Sequence, residues 1–226
     1  KTGGRNPAEV EKHLALSLQR LQTDYVDLYQ FHGVNNQKHL DLILEPNGLL
    51  SVVEAAKKAG KIRHIGITSH QIDIAKKAIA CDQFETIMFP FNFVTDEAAT
   101  ELIPLARKHD VGFIVMKPLA GGMLDNATIA FKYLFQFPDI VPIPGIEKIP
   151  EIEEIVGILE HSPILTKADK AQMERMKAEL GREFCHRCDY CQPCTSEIPI
   201  STVMTSPSFA KRLPEERFYS DMIAKA

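Results

Sequence analysis

The chain has 226 residues, of which 45% are hydrophobic and 25% charged, so it can bury a core of ordinary size. Its net charge of −4 and its scattered lysines and arginines argue against a nucleic-acid partner, and no apolar run reaches the roughly 18–20 residues that span a bilayer. Five cysteines are present, and four of them are clustered, which favours metal binding in a reducing compartment over a disulfide framework. A cytoplasmic location is therefore expected.

Helix-like and strand-like segments alternate along the first 160 residues. Asn6, followed by Pro7 and Glu9, predicts the start of a helix. Strands are predicted at 26–31, 62–67, 86–89, 112–116 and 140–143. Helices are predicted at 49–58, 72–80, 96–108, 128–135 and 150–159. This alternation is typical of parallel βαβ units, and the pattern leaves two architectures open: part of an eightfold barrel, or an open doubly wound sheet.

The pattern changes after residue 162. Thr166 and Asp169 predict a helix cap, and Met173, Met176 and Leu180 share one face of the helix that follows. Beyond the cysteines, the prolines at 199, 207 and 214 predict an irregular segment. The sequence therefore suggests a domain of alternating strands and helices at 1–162 and a C-terminal extension at 163–226.

Four cysteines, Cys185, Cys188, Cys191 and Cys194, follow one another at intervals of three. A tight run of thiolates is typical of a [4Fe–4S] cluster, whereas zinc more often binds two separated pairs, and unligated thiols are a third interpretation. Cys194 is the least secure ligand, because the last cysteine of a bacterial ferredoxin run comes after three residues and precedes proline. Cys81 stands alone and is predicted to be a buried structural thiol.

Four motifs follow one another along the chain: DYVDLYQFH at 24–32, IGITSH at 65–70, MKPLAGG at 116–122 and VPIPG at 141–145. In order and spacing they resemble the aldo/keto reductase family, and the cysteine run is similar to the ferredoxin-like tail of that family's iron–sulfur branch. The resemblance implies a partial (β/α)8 TIM barrel with strands 4–8 present and an irregular iron–sulfur extension. Three units, roughly 80–90 residues, would then precede Lys1. The edge of the 26–31 strand is expected to be unpaired.

The resemblance implies an oxidoreductase that transfers a hydride from NADPH or NADH to an aldehyde or ketone. His32 matches the histidine that orients the carbonyl, and Lys1 matches the lysine that acidifies a tyrosine proton donor. The family's aspartate and tyrosine have no counterpart here. We therefore expect both residues to lie upstream of Lys1 and the chain alone to be inactive.

The resemblance also implies a set of cofactor contacts. Thr68 and Ser69 would bind the nicotinamide carboxamide, and the glycines after Lys117 would approach the pyrophosphate. The full predicted set is Thr68, Ser69, Met116, Lys117, Leu119, Gly121, Gly122, Gly145 and Lys148. Met116 replaces an aromatic residue, Met88 replaces a glutamine, and Gly145 stands where some members have a lysine, so the choice between NADPH and NADH stays open.

Two other functions remain open on the sequence. The chain could belong to a cofactor-binding regulatory barrel with negligible turnover, or to an electron-transfer module that meets a redox partner protein. Carbonyl-dependent oxidation of the cofactor separates the reductase from both.

Overall fold

The computed structural model describes residues 1–161, 164–180, 185 and 191–210. The chain divides into two compact units. The first unit comprises Lys1–Phe91, Thr95–Pro118 and Phe137–Gly145, and the second comprises Asn92–Val94, Leu119–Gln136 and Ile146–Ala226.

A parallel five-stranded sheet forms the centre of the first unit. Its strands are β1 (Val26–Phe31), β2 (Ile62–Thr68), β3 (Thr86–Pro90), β4 (Gly112–Met116) and β5 (Ile140–Pro142). Its helices are α1 (Pro7–Leu21), α2 (Gln37–Leu44), α3 (Leu49–Lys58), α4 (Ile72–Ala80), α5 (Ala98–Glu101) and α6 (Ile103–Lys108). The strands lie side by side in chain order. This order favours part of a barrel, because a doubly wound sheet reverses its strand order at a switch point.

The expectation of an unpaired edge at β1 is wrong at the C-terminal end of that strand. Thr2 forms a parallel bridge with Phe31 on the side of β1 away from β2. The Thr2 amide donates to the Gln30 carbonyl at 2.8 Å, and the His32 amide donates to the Thr2 carbonyl at 2.8 Å. The first residues of the chain therefore continue the sheet by a short parallel segment.

The two faces of the sheet differ in what they carry. Strand residues alternate between faces, and one face packs against the helices, as the contact of Tyr29 Oη with the Val10 carbonyl shows. We call the other face the inner face. By strand register it carries one row made of Gln30, Gly66, Thr86 and Gly112, and a second row made of Thr68, Met88 and Ile114. His32, one residue past the end of β1, continues the second row. The second row lies closer to the C-terminal ends of the strands.

Local sequence explains where α1 begins. The Asn6 side chain accepts a hydrogen bond from the Glu9 amide at 3.0 Å, and Pro7 occupies the first turn. Glu9 in turn accepts from the Arg5 amide at 2.8 Å. The predicted cap is therefore confirmed.

Three segments differ from the sequence prediction. Helix α2 was not predicted, although Asn36 caps it by accepting from the His39 amide at 2.9 Å. The predicted helix at 96–108 is interrupted at Leu102, because Pro104 in the next turn has no amide hydrogen to continue the ladder. The predicted irregular segment after the cysteines is wrong over Ile200–Ala210, which is helical (α10).

The second unit is helical over the residues that the structure describes. It contains a 3-10 turn (Ala120–Gly122), α7 (Ala127–Leu134), α8 (Ile149–Glu160), α9 (Lys167–Leu180) and α10. Its core holds Phe93, Leu124, Ile129, Ala130 and Met173, against which Met176 and Leu180 also pack. The cap predicted for α9 is confirmed, because the Asp169 amide donates to Thr166 Oγ1 at 3.1 Å and the Thr166 amide donates to Asp169 Oδ2 at 2.8 Å.

The row of the inner face that holds Gln30, Thr86 and Gly112 leaves no room for a side chain at Gly66. A Cβ atom at this position would lie 2.1 Å from Thr86 Oγ1 and 3.2 Å from Gln30 Cγ, so a neighbour would have to move. We expect Gly66→Ala to lower the free energy of unfolding by about 1–3 kcal/mol, measured by urea denaturation. Adding Thr86→Ala should recover part of this loss.

Gly157 in α8 is the matched control for Gly66, because a Cβ atom added there would have no neighbour within 4 Å. Gly157→Ala should raise the free energy of unfolding, since alanine is favoured over glycine in a helix by about 0.8–1 kcal/mol. A stable Gly66→Ala protein would show that the inner face has more room than the structure indicates.

The N-terminal ends of β2 and β3 are joined by an ion cluster around Glu85. Its carboxylate accepts from Lys57 Nζ at 2.5 Å and from the Ile65 amide at 3.0 Å, and it lies 2.5 Å from His64 Nδ1. Burial alone would raise the pKa of Glu85, but these hydrogen bonds outweigh it and lower the pKa to about 2.

The Glu85 cluster predicts a loss of stability in acid. Because the folded-state pKa is depressed, the carboxylate contributes stability above its ordinary value of 4.5, and this contribution is lost as the pH falls towards 2. We expect the melting temperature of the wild type to fall more steeply than that of Glu85→Gln between these pH values. Parallel curves for the two proteins would contradict the assignment.

Along the described part of the chain, no helix is both long enough and apolar enough to cross a bilayer.

Candidate active site

The predicted catalytic residues lie on the inner face at the C-terminal ends of the strands. His32 directly follows β1 and is level with Thr68 at the end of β2, which is paired in turn with Met88 on β3. Lys1 precedes the bridge residue Thr2, and its Nζ lies 3.2 Å from Met88 Sδ. The sheet therefore brings the amine of Lys1 and the imidazole of His32 to one edge of one face.

The surroundings of His32 favour its neutral form. Partial burial, and then the positive charges of Lys1 and Arg5, lower the pKa of His32 below its ordinary value of 6.5. The Arg5 guanidinium also donates to the His32 carbonyl at 3.4 Å. Burial likewise lowers the pKa of the Lys1 side chain. Near neutral pH the edge therefore presents an uncharged imidazole beside a lysine.

Thr68 and Ser69 hold the loop that follows His32. Thr68 Oγ1 accepts from the Gly33 amide at 2.9 Å, and the Thr68 carbonyl accepts from the Val34 amide at 2.9 Å. Asn35 Oδ1 accepts from Ser69 Oγ at 3.4 Å. Thr68 is 1% exposed and Ser69 is not exposed. The two hydroxyls predicted to contact the cofactor are therefore also part of the framework that fixes the loop after His32.

The ends of β4 and β5 carry three more predicted residues. Met116 is half-buried, and its carbonyl accepts from the Phe91 amide at 3.2 Å. Lys117 has a φ of 56°, so the chain turns sharply as it leaves β4. Nothing lies within 4 Å of the side-chain position at Gly145, so the backbone there is open to close approach.

The other predicted cofactor residues belong to the second unit. The Gly122 amide donates to the Leu119 carbonyl at 2.6 Å, closing a tight turn in which Gly121 has a φ of 64°. Nothing lies within 4 Å of the side-chain position at Gly121. Lys148 precedes α8, and its amide donates to Glu151 Oε2 at 3.1 Å. Lys148 is therefore the N-cap residue of α8.

The predicted cluster ligands are only partly described. Cys188 lies outside the described residues, whereas Cys185, Cys191 and Cys194 lie within them. Among the residues that the structure describes, no three histidine, cysteine or acidic side chains are grouped so that they could hold a metal ion. The described cysteines therefore do not form a ligand set, and the cluster stays a prediction.

Sequence reasoning missed three residues that build this edge. Thr2 lies under the edge and is fully buried, His13 contacts Thr2 from α1, and Asn35 ties the loop to β2. A single polar residue that forms contacts only with residues distant in sequence gives no distinctive signal in a single sequence. Their roles follow only from the register that places residues 1–3 beside β1.

Comparison with known proteins supports the architecture. A sequence model described as the aldo/keto reductase family matches residues 3–128, more than half of the chain. The solved structure of the aldo-keto reductase AKR11C1 from Bacillus halodurans in its holo form superposes with a TM-score of 0.61 at 23% identity. That superposition covers 76% of this chain and 68% of the other chain, and it supports the fold.

Curated relatives are similar over the same region. The uncharacterized oxidoreductase YqkF of Bacillus subtilis is 32% identical over 117 residues, which cover 52% of this chain and 36% of YqkF. An NADH-specific methylglyoxal reductase of Escherichia coli is 29% identical over 129 residues, which cover 57% of this chain and 38% of that enzyme. The chain thus spans less than two fifths of the length of either relative.

Proposed function

Because the chain belongs to the aldo/keto reductase family, a family of oxidoreductases, we propose that it carries part of the active site of an NAD(P)H-dependent reductase of aldehydes or ketones. The observation that best supports this proposal is the meeting of Lys1 and His32 at the C-terminal edge of the inner face. In α/β barrels this edge is where active sites lie.

His32 is proposed to orient the substrate. Because its pKa is lowered, its imidazole is neutral near pH 7 and one ring nitrogen carries a hydrogen. That N–H can donate to the carbonyl oxygen of the substrate and stabilise the negative charge that develops there during reduction. A charged imidazolium is not needed, and the nearby cations disfavour it.

Lys1 is proposed to supply positive charge beside the proton donor. A cation favours the charged form of a neighbouring phenol and so makes it a stronger acid. Among the described tyrosines, Tyr29 lies on the helix face, Tyr25 stacks with Arg63, and Tyr133 packs against Phe93 in the second unit. The proton donor is therefore not among them.

The cofactor, when bound, supplies the hydride. The open backbone at Gly145 and the cation of Lys117 fit a dinucleotide near the ends of β4 and β5. Thr68 and Ser69 are less available for a cofactor contact, because both hydroxyls already form hydrogen bonds with the loop after His32. Leu119, Gly121, Gly122 and Lys148 stay sequence-based predictions for phosphate contacts, and both NADPH and NADH remain candidate cofactors.

We also propose, on the cysteine spacing alone, that Cys185, Cys188, Cys191 and Cys194 bind a [4Fe–4S] cluster. The spacing matches a thiolate run that can wrap one cluster. Iron and sulfide analysis of anaerobically purified protein tests this, with Cys81→Ser as the control variant. Four iron atoms per chain that are lost in Cys191→Ser and retained in Cys81→Ser would support the cluster, and iron-free protein would contradict it.

Turnover tests the main proposal. The full gene product would be assayed anaerobically for oxidation of NADPH and NADH with a panel of aldehydes and ketones. Oxidation that depends on the carbonyl compound supports the reductase. Tight cofactor binding without such oxidation would contradict it and favour a regulatory barrel.

A further inference from the structure

The segment that carries Lys1 is held to the sheet by a single buried residue, Thr2. Its amide and carbonyl are both used in the bridge to β1, with one hydrogen bond to Gln30 and one from His32, each 2.8 Å long. Thr2 is not exposed to solvent at all. Because successive residues of a strand point to opposite faces, the Thr2 side chain lies on the helix face when Lys1 lies on the inner face.

The Thr2 hydroxyl is the centre of a small polar cluster beneath α1. The Gly4 amide donates to Thr2 Oγ1 at 3.1 Å, and His13 Nδ1 lies 3.0 Å from the same oxygen. The Thr2 hydroxyl is therefore held both from its own segment and from α1.

His13 is the one member of this cluster that comes from a helix. It lies in α1 between the buried residues Val10 and Leu14, and its carbonyl accepts from Ser17 Oγ at 2.7 Å. With its proton on Nε2, the imidazole accepts the Thr2 hydroxyl hydrogen at Nδ1. The hydroxyl still accepts the Gly4 amide hydrogen, so both of its roles are satisfied.

We propose that His13 is a positioning residue, which holds the Thr2 side chain on the helix face, resists rotation of the segment about its axis and thereby keeps Lys1 on the inner face beside His32. This inference rests on the proposed reductase function, since it concerns how that site is kept in register. A rotation of Thr2 about the strand axis would carry Lys1 away from Met88 and His32, because the two residues share one short segment. The helix thus sets the geometry of a site that it does not touch.

The test uses four substitutions in the full gene product. His13→Leu keeps the bulk of the side chain and removes its hydrogen bond. His13→Asn is the rescue, because Asn Oδ1 can take the place of Nδ1, and Thr2→Val removes the hydroxyl at nearly constant volume. Lys12→Ala, at an exposed position of α1, controls for general effects on the helix.

Two readouts are compared. We expect His13→Leu and Thr2→Val to lower kcat by roughly 10-fold to 100-fold, since small displacements of a reacting group have effects of this size. His13→Asn should recover most of kcat, and Lys12→Ala should not change it. We also expect the NMR-measured pKa of His32 to rise towards 6.5 in His13→Leu, because Lys1 no longer stays beside it.

The outcomes separate this inference from the proposed function. If the wild type reduces carbonyls while His13→Leu leaves both kcat and the His32 pKa unchanged, the positioning role is wrong and the proposed function stands. If the wild type reduces no carbonyl, the proposed function fails and the His32 titration alone decides. A rise in the pKa of His32 in His13→Leu that is absent in His13→Asn then supports the positioning role of His13. An unchanged His32 pKa in His13→Leu overturns it. A fall in melting temperature without a change in the His32 pKa also overturns it.

Discussion

Replacing His32 with leucine is expected to lower kcat/KM for carbonyl reduction by about 100-fold to 1,000-fold, the effect of removing one hydrogen-bond donor to a developing oxyanion. The binding of NADPH or NADH should not change, because the imidazole is proposed to contact the carbonyl oxygen and not the cofactor. Steady-state kinetics and a fluorescence titration of the cofactor measure the two quantities separately.

His109→Leu is the matched control for His32. His109 follows α6 and pairs with Asp82 at 2.7 Å, close to the start of β4 and not to the C-terminal ends of the strands. Its replacement should leave kcat/KM unchanged. Equal losses in both variants would mean that His32 acts through stability and not through contact with the substrate.

Replacing Lys1 with methionine is expected to lower kcat by about 100-fold or more, the range seen when the tuning of a general acid is lost. The same change should also move the acidic limb of the pH profile. Lys1 disfavours the charged form of His32, so the wild type keeps a neutral imidazole to a pH below 6.5. In Lys1→Met the pKa of His32 rises, and activity should begin to fall at a higher pH.

Lys1→Arg tests whether it is the positive charge of Lys1 that lowers the pKa of His32. Arginine keeps the positive charge, so the pKa of His32 should stay low in this variant, whereas it rises in Lys1→Met. Histidine ring NMR across pH 4–9 would follow both proteins. A His32 pKa that is the same in wild type, Lys1→Met and Lys1→Arg would show that Lys1 does not lie beside the imidazole.

The sequence was most informative where short-range signals agree with the tertiary structure. The five predicted strands are all present, because buried parallel strands are compact apolar runs between helices and loops. The start of α1 was predictable because Asn6, Pro7 and Glu9 act locally. The break at Pro104 was missed because the apolar spacing continues through it. Helix α10 was missed because prolines in its sequence suggested an irregular segment.

The sequence predicted individual residues of the candidate site but not the contacts that join them. His32, Thr68 and Met116 follow or end predicted strands, so their common edge could be expected. What could not be predicted is how the edge is held together. The pairing of Thr2 with β1, the contact of His13 with Thr2 and the use of Thr68 to hold Gly33 all join residues that are distant in sequence.

If the cofactor binds beside Lys1 and His32 as proposed, its nicotinamide ring lies at the C-terminal edge of the inner face, next to Met88 and Met116. Proteins labelled with 13C at the methionine methyl groups would be titrated with NADPH and with NADH, and the signals assigned with Met88→Leu and Met116→Leu. We expect the signals of Met88 and Met116 to shift on binding, while that of Met173, buried in the core of the second unit, does not. Cofactor binding that leaves Met88 and Met116 unshifted would contradict this placement of the cofactor.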